Sequence, residues 1–150
     1  METDYYFDED PLPRLYELFR RTNASIHRAR RKELRKYHLS DSEAAVLFVV
    51  QASKNQITPA GIAHQLIQDN HAIAQLIVRM QKRGLLKKVK DLPRPNMVRV
   101  VLTEYGELMR NKTKKFKSIE DIFSTLSEKE RNQLTKDLQR LWAKAEEIND

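Results

Sequence analysis

Eight cationic side chains stand between residues 79 and 99, namely Arg79, Lys82, Arg83, Lys87, Lys88, Lys90, Arg94 and Arg99, against the single acid Asp91. Just ahead of them come Asn70, His71 and Gln75, three side chains able to match a pattern of hydrogen-bond donors and acceptors. Clustered cations displace counterions from a phosphate chain, and an amide side chain can bond adenine at two atoms together. The chemistry on offer is recognition of a polyanion. Catalysis has little to stand on, because the chain has no Gly-rich phosphate loop and no Ser/His/Asp arrangement with supporting context, and Glu33, Glu120 and Asp121 fall on faces that read as solvated. The absence of cysteine excludes disulfides, thiolate metal sites and thiol redox chemistry. Among the four histidines, His27, His38, His64 and His71, none is paired at i, i+4 with another His, Asp or Glu, so neither a metal nor any other cofactor is expected.

The 150 residues suffice for one domain with a core of its own, and 40% hydrophobic with 33% charged residues suits a helix-rich globular protein. No apolar run approaches the roughly 18 residues of a membrane span, and the acidic, aromatic start METDYYFDED is not a signal peptide. A soluble, cytoplasmic protein without membrane contact is therefore expected. The net charge of +7 is unevenly distributed. Residues 20 to 36 hold eight bases and one acid, residues 79 to 99 hold the same, and residues 1 to 19 hold six acids and one base. Two basic blocks in an otherwise neutral or acidic chain are a polyanion footprint, although a long helix also solvates itself with Lys and Arg.

These side chains need elements to position them. Pro11 and Pro13 belong before or in the first turn of a helix, and Leu15, Phe19, Ile26 and Ala29 recur at helical spacing, which predicts a long helix from about 13 to 37. Ser40 with Glu43 forms a capping box that opens a nearly all-apolar, buried helix to about Ala52. Thr58 can cap a short helix that starts at Pro59 and ends near Gln68, and Asp69 can cap the next, whose Ile73, Leu76, Ile77 and Met80 form one face. Gly84 ends that helix, and two β-type runs, Leu85 to Lys90 and Val98 to Leu102, enclose a proline-bracketed tip. A helical pattern from about Glu104 then carries Phe116, Ile119, Phe123 and Leu126. A second capping box, Ser127 with Glu130, opens a last helix with Leu134, Leu138, Leu141, Ala145 and Ile148 at heptad-like spacing.

Two short helices at a tight turn followed by a basic hairpin describe a helix-turn-helix with a wing, and the fold class is mainly α. Asn70, His71 and Gln75 lie where such a helix reaches base edges, with Gln75 foremost. Thr58, Arg79, Lys82, Lys87, Lys88, Lys90 and Arg99 are expected on the phosphate backbone, and Arg94 at the tip in the minor groove. The end helices present Leu15, Phe19, Phe116, Phe123, Leu134, Leu138, Leu141 and Trp142, which suits an interface between two copies of the chain. The alternative is a winged helix serving as a protein-interaction or RNA-associated module.

The pieces "LSDSEAAVLFVV", "TPAGIAHQL", "DNHAIAQLIVRMQKRGLL" and "VRVVLTEYG", taken in this order, resemble the MarR family of transcription regulators. The likeness covers nearly the whole chain, and its most specific part is the return from the wing through Leu102, Thr103 and Gly106. It implies a single domain over 1–150, with dimerisation helices at about 10–37 and 107–148 and a DNA-binding part at about 39–104. It further implies a homodimer on a pseudo-palindromic duplex, usually repressing nearby genes, and in many members released by a small aromatic or anionic effector. The wing tip departs from the family pattern. Here Asp91 is followed by Leu-Pro-Arg-Pro-Asn, so the usual Asp–Arg pair is expected to be absent and Arg94 takes its role by position alone.

Overall fold

The computed structural model describes residues 9–150, and the chain divides into two compact units after Lys115; residues 1–8 of the acidic start lie outside the described residues. The first unit opens with helix α1, Pro11–Leu34. Its cap is Asp10, whose carboxylate accepts from the Leu12 amide at 3.2 Å, and Pro11 and Pro13 occupy first-turn positions where no amide hydrogen is required. A 3-10 turn, Arg35–Tyr37, continues it to His38, whose left-handed φ of 54° ends the element.

Helix α2, Asp41–Ala52, starts at the capping box: the Glu43 amide donates to the Ser40 hydroxyl at 3.1 Å, and the Ser40 amide donates to the Glu43 carboxylate at 3.2 Å. Val46, Leu47 and Val50 are fully buried. Phe48 departs from the expected burial on most sides, because the Arg110 guanidinium covers its ring at 5.1 Å while about half the residue stays exposed. Helix α3, Pro59–Leu66, is capped by Thr58 and stops short of Gln68, since Ile67 turns left-handed at φ 52°. Helix α4, Asn70–Lys82, begins at Asp69, which accepts from the His71 and Ala72 amides at 2.8 and 3.1 Å. Ile73, Leu76, Ile77 and Met80 are its buried face, as their spacing predicts.

Gly84, at φ 73°, reverses the chain into strand β1, Leu86–Val89, which pairs antiparallel with β2, Arg99–Leu102, in the register Leu86 to Leu102 and Val89 to Arg99. Ile57 adds a bridge on the far side of β2, accepting from the Val100 amide at 2.8 Å. Helix α5, Glu104–Lys112, then begins under tight constraint. The Thr103 hydroxyl accepts from the Gly106 amide at 3.0 Å and donates to the Gly84 carbonyl, while the Thr103 amide donates to the Leu85 carbonyl at 3.2 Å. A side chain on Gly106 would place its Cβ 2.1 Å from the Leu85 oxygen, so only glycine fits that position. The Leu-Thr-x-x-Gly run is thus the knot that fixes α4, hairpin and α5 to one another.

The helical pattern expected to run on from about Glu104 breaks after Lys112. In a continuous helix the Thr113 carbonyl would accept from the amide four residues on; here it accepts from the Arg30 guanidinium at 3.0 Å, and the Thr113 hydroxyl donates back to the Met109 carbonyl at 2.9 Å. The second unit therefore starts with its own helix α6, Lys117–Phe123. Helix α7, Glu128–Asn149, follows from the Ser127 and Glu130 capping box. No residue of α7 is buried, and Leu141 and Trp142 are 62% and 59% exposed.

Arg30 and Arg110 are both buried in the first unit, with unequal partners. Arg30 holds Glu33 at 2.9 Å as well as the Thr113 carbonyl, whereas the Nε of Arg110 finds no acceptor among the described residues. Burial first, and the Arg30 charge second, hold the Arg110 pKa below its ordinary value. A buried cation that lacks a counter-charge costs more than the packing of its stem returns. Arg110→Met is accordingly expected to leave stability unchanged or to raise it by about 1–4 kcal/mol. Arg30→Met should lower it by about 1–3 kcal/mol through the orphaned Thr113 carbonyl. Urea unfolding of both variants decides the point, and a greater loss for Arg110→Met would contradict it.

Candidate nucleic-acid interface

Opposite the buried face of α4, the side chains of Asn70, His71, Ala74, Gln75, Val78, Arg79 and Lys82 are all exposed. His71 and Gln75 lie one turn apart and bond to each other, Nε2 to Nε2, at 3.1 Å. This bond removes rotamer freedom from both before any ligand arrives. A glutamine that donates one amide hydrogen to the imidazole still offers its carbonyl oxygen and a second N–H, the pair needed to bond adenine bidentately. Asn70 occupies the first helical position beside them. Thr58 is half-buried and accepts from the Gly61 amide at 3.1 Å, which leaves its own O–H to donate outward.

Both ends of the helix are held. Asp69 fixes its start, and Arg83, just past its end, donates to the His38 carbonyl at 2.6 Å and to the Glu43 carboxylate on α2. Sequence reasoning places Arg83 in the basic block without a role; as an arginine forty residues from its acid, it gives no local signal of that bond.

The hairpin sorts its cations into two kinds. Lys87, Lys88 and Lys90 are exposed and hold no acceptor among the described residues, and the same is true of Lys82 and of Arg94 at the tip. The tip itself closes through the Met97 amide on the Arg94 carbonyl at 3.3 Å, with Asn96 left-handed at φ 67°. Arg99, expected on the phosphate backbone, is different in that its guanidinium is already bonded within the protein. Its Nε and Nη2 donate to the two oxygens of Asp91 at 2.7 and 2.8 Å, and its Nη1 donates to the Asn55 carbonyl at 2.9 Å. The wing thus holds an Asp–Arg pair between its two arms, although the tip motif after Asp91 is absent. The Arg99 hydrogen bonds hold the Asp91 carboxyl below the usual carboxylate range, and Asp91 in turn raises Arg99. The register pairs Val89 with Arg99, so residue 91 lies two positions further along the chain, a separation that the long Arg99 side chain spans.

Asn55 completes this bracket. It takes φ 60° after Lys54 at φ 55°, and its side-chain oxygen accepts from the Leu102 amide at 3.0 Å. The wing is thus tied to the loop before α3 as well as to itself. His27 of α1 meets Asp41 at the start of α2 at 2.6 Å, another link that helix periodicity does not reveal.

Of the apolar residues expected at a subunit interface, Leu15 and Phe19 are exposed on α1. In the second unit Phe116, Leu138, Leu141 and Trp142 are exposed, and Phe123 and Leu134 are half-buried. No helix among the described residues is long and apolar enough to cross a membrane, and no group of three His, Cys, Asp or Glu among them could hold a metal ion.

No protein-family model and no curated protein matches the sequence. Solved structures do. The organohalide-sensing transcriptional regulator RdhR, in its 2,4-dichlorophenol-bound form, superposes with a TM-score of 0.79 at 25% identity, over 94% of this chain and 85% of that one. A MarR mutant from E. coli complexed with operator DNA gives 0.79 at 18% identity, over 85% and 92% of the two chains. MepR from S. aureus, also complexed with DNA, gives 0.78 at 18% identity over 85% and 94%. The chain has the winged helix-turn-helix fold of the MarR-type regulators.

Asp91 offers a clean way to separate framework from charge. Were it merely one acid in a basic hairpin, Asp91→Asn would remove a negative charge and tighten binding to every duplex. Because Asp91 instead anchors Arg99, the variant is expected to lose affinity for a preferred duplex, with the loss read by fluorescence anisotropy at fixed salt. Uniformly tighter binding would show that the bracket does not matter.

Proposed function

We propose that this MarR-type winged-helix chain is a transcriptional regulator that reads duplex DNA sequence-specifically, acts as a homodimer on a pseudo-palindrome, and represses until a small aromatic or anionic effector binds. The observation that carries the reading is the bonded His71 and Gln75 pair on the outer face of a helix whose other face is buried and whose ends are both fastened. A helix of this width enters the major groove of B-DNA, where Gln75 and Asn70 reach base edges. Arg79, Lys82 and the hairpin lysines then lie over phosphates, Thr58 adds a hydroxyl donor, and Arg94 at the tip suits a narrow minor groove.

Support for duplex DNA comes from MarR and MepR, which share the fold and were solved on DNA. The effector rests on RdhR, solved with 2,4-dichlorophenol. Homodimerisation rests on the apolar residues left in the open on α1 and α7, since two half-sites must be gripped together for palindrome recognition.

The direct test is equilibrium binding to an inverted repeat enriched from a random duplex pool, compared with a scrambled duplex and single-stranded RNA. Strong preference for the repeat is expected, and equal binding to RNA would favour an RNA-associated module. On that repeat, Gln75→Ala should cost about 1–3 kcal/mol and relax preference at one base pair per half-site. A loss equal across all sequences would place Gln75 on phosphate instead. Leu138→Glu with Leu141→Glu should give monomers by sedimentation and much weaker operator binding; a monomer of undiminished affinity would sink the dimer.

A further inference from the structure

The basic block at the end of α1 has no role in recognition by α4 and the wing. Four of its exposed members, Arg28, Arg31, Lys32 and, in the turn that follows, Arg35, fall at i, i+3, i+4 and i+7, a single stripe, and none of the four holds an acceptor among the described residues. Neighbouring cations at these spacings repel one another, and the segment's one acid, Glu33, is taken by buried Arg30. A self-solvating helix alternates charges of both signs; this stripe does not. Arg20 and Arg21, by contrast, share an ion pair with Glu17.

The stripe also has a position relative to the recognition helix. His27, one turn before Arg31, lines a groove of about 380 Å³ together with Ser40, Asp41 and, from α4, Ala72, Leu76 and Arg79. The one acid of that groove, Asp41, is paired with His27 at 2.6 Å. The flank of α4 that carries Ala72 and Arg79 thus shares a groove with His27, one turn of α1 before Arg31. A helix lying in a major groove has a phosphate strand along each flank.

Resting on the duplex-DNA reading of α4 and its wing, we infer that the stripe Arg28, Arg31, Lys32 and Arg35 is a second phosphate-binding surface, holding the strand that runs along the Arg79 flank of the recognition helix. It contributes affinity and salt dependence but no sequence information, because it reaches backbone and not bases. The long first helix then serves as a clamp on the DNA as well as a scaffold.

The test uses the full-length protein and the slope of log K against log salt concentration on one preferred duplex and one scrambled duplex. Replacing all four residues by Gln should make the slope shallower by roughly 0.9 for each phosphate that a protomer no longer neutralises, weaken both duplexes alike and leave base preference unchanged. Replacing the three arginines by Lys keeps the charge and should keep the slope. Lys88→Gln with Lys90→Gln in the hairpin serves as the reference for DNA binding itself. An unchanged slope in the four-Gln variant beside a shallower one in the hairpin variant overturns the α1 surface alone. A slope moved by neither variant overturns the duplex-DNA reading with it. Equal loss in the Gln and Lys series, or an altered base preference, contradicts a role confined to phosphate charge.

Discussion

The geometry of the candidate interface depends on one close approach of backbone to backbone. The α-carbon of Gly106 sits against the Leu85 carbonyl so tightly that no side chain fits, and Thr103 ties both Gly84 and Leu85 from the same side. Helix α4 ends just before Gly84 and the hairpin begins at Leu86, so this knot sets the angle at which the two leave each other. Asn55, bonded to Leu102 and Arg99, holds the far side of the hairpin to the loop before α3. A surface built this way would meet a ligand with little ordering left to do, so that binding energy is not spent on assembling it.

Arginine and lysine divide the work. The arginines at 30, 83 and 99 each bond a carboxylate and a backbone carbonyl, the use for which a rigid planar fork with several donors is suited. The hairpin lysines hold no acceptor among the described residues, as mobile point charges over a phosphate chain should. The formal charge of the block from 79 to 99 therefore overstates what it offers a ligand. Arg83 and Arg99 are committed to the framework, and Arg79, Lys82, Lys87, Lys88, Lys90 and Arg94 are left for the surface.

Helix starts are the most legible part of the sequence, because a cap is local: Ser40, Thr58, Asp69 and Ser127 sit where their spacing to the following residues predicts. The buried face of α4 is equally plain from periodicity. Long-range bonds are not. The break at Thr113 depends on Arg30, 83 residues away, and no local pattern near residue 113 announces it. Charge alone puts Arg99 with the other cations of the block, and its bond to Asp91 is a side-chain reach that the two β-type runs do not announce. Charge counts give composition, and partners decide availability.

The central claim is that α4 and the hairpin together are the surface that meets duplex DNA. Backbone amide chemical shifts of the isotopically labelled protein, followed during titration with a preferred duplex, test it most directly. The account predicts that the largest changes fall on Asn70 to Arg79 and on Lys87 to Arg94, while the knot at Thr103 to Gly106 moves little. Changes confined to α7, with the recognition helix and wing silent, would contradict it.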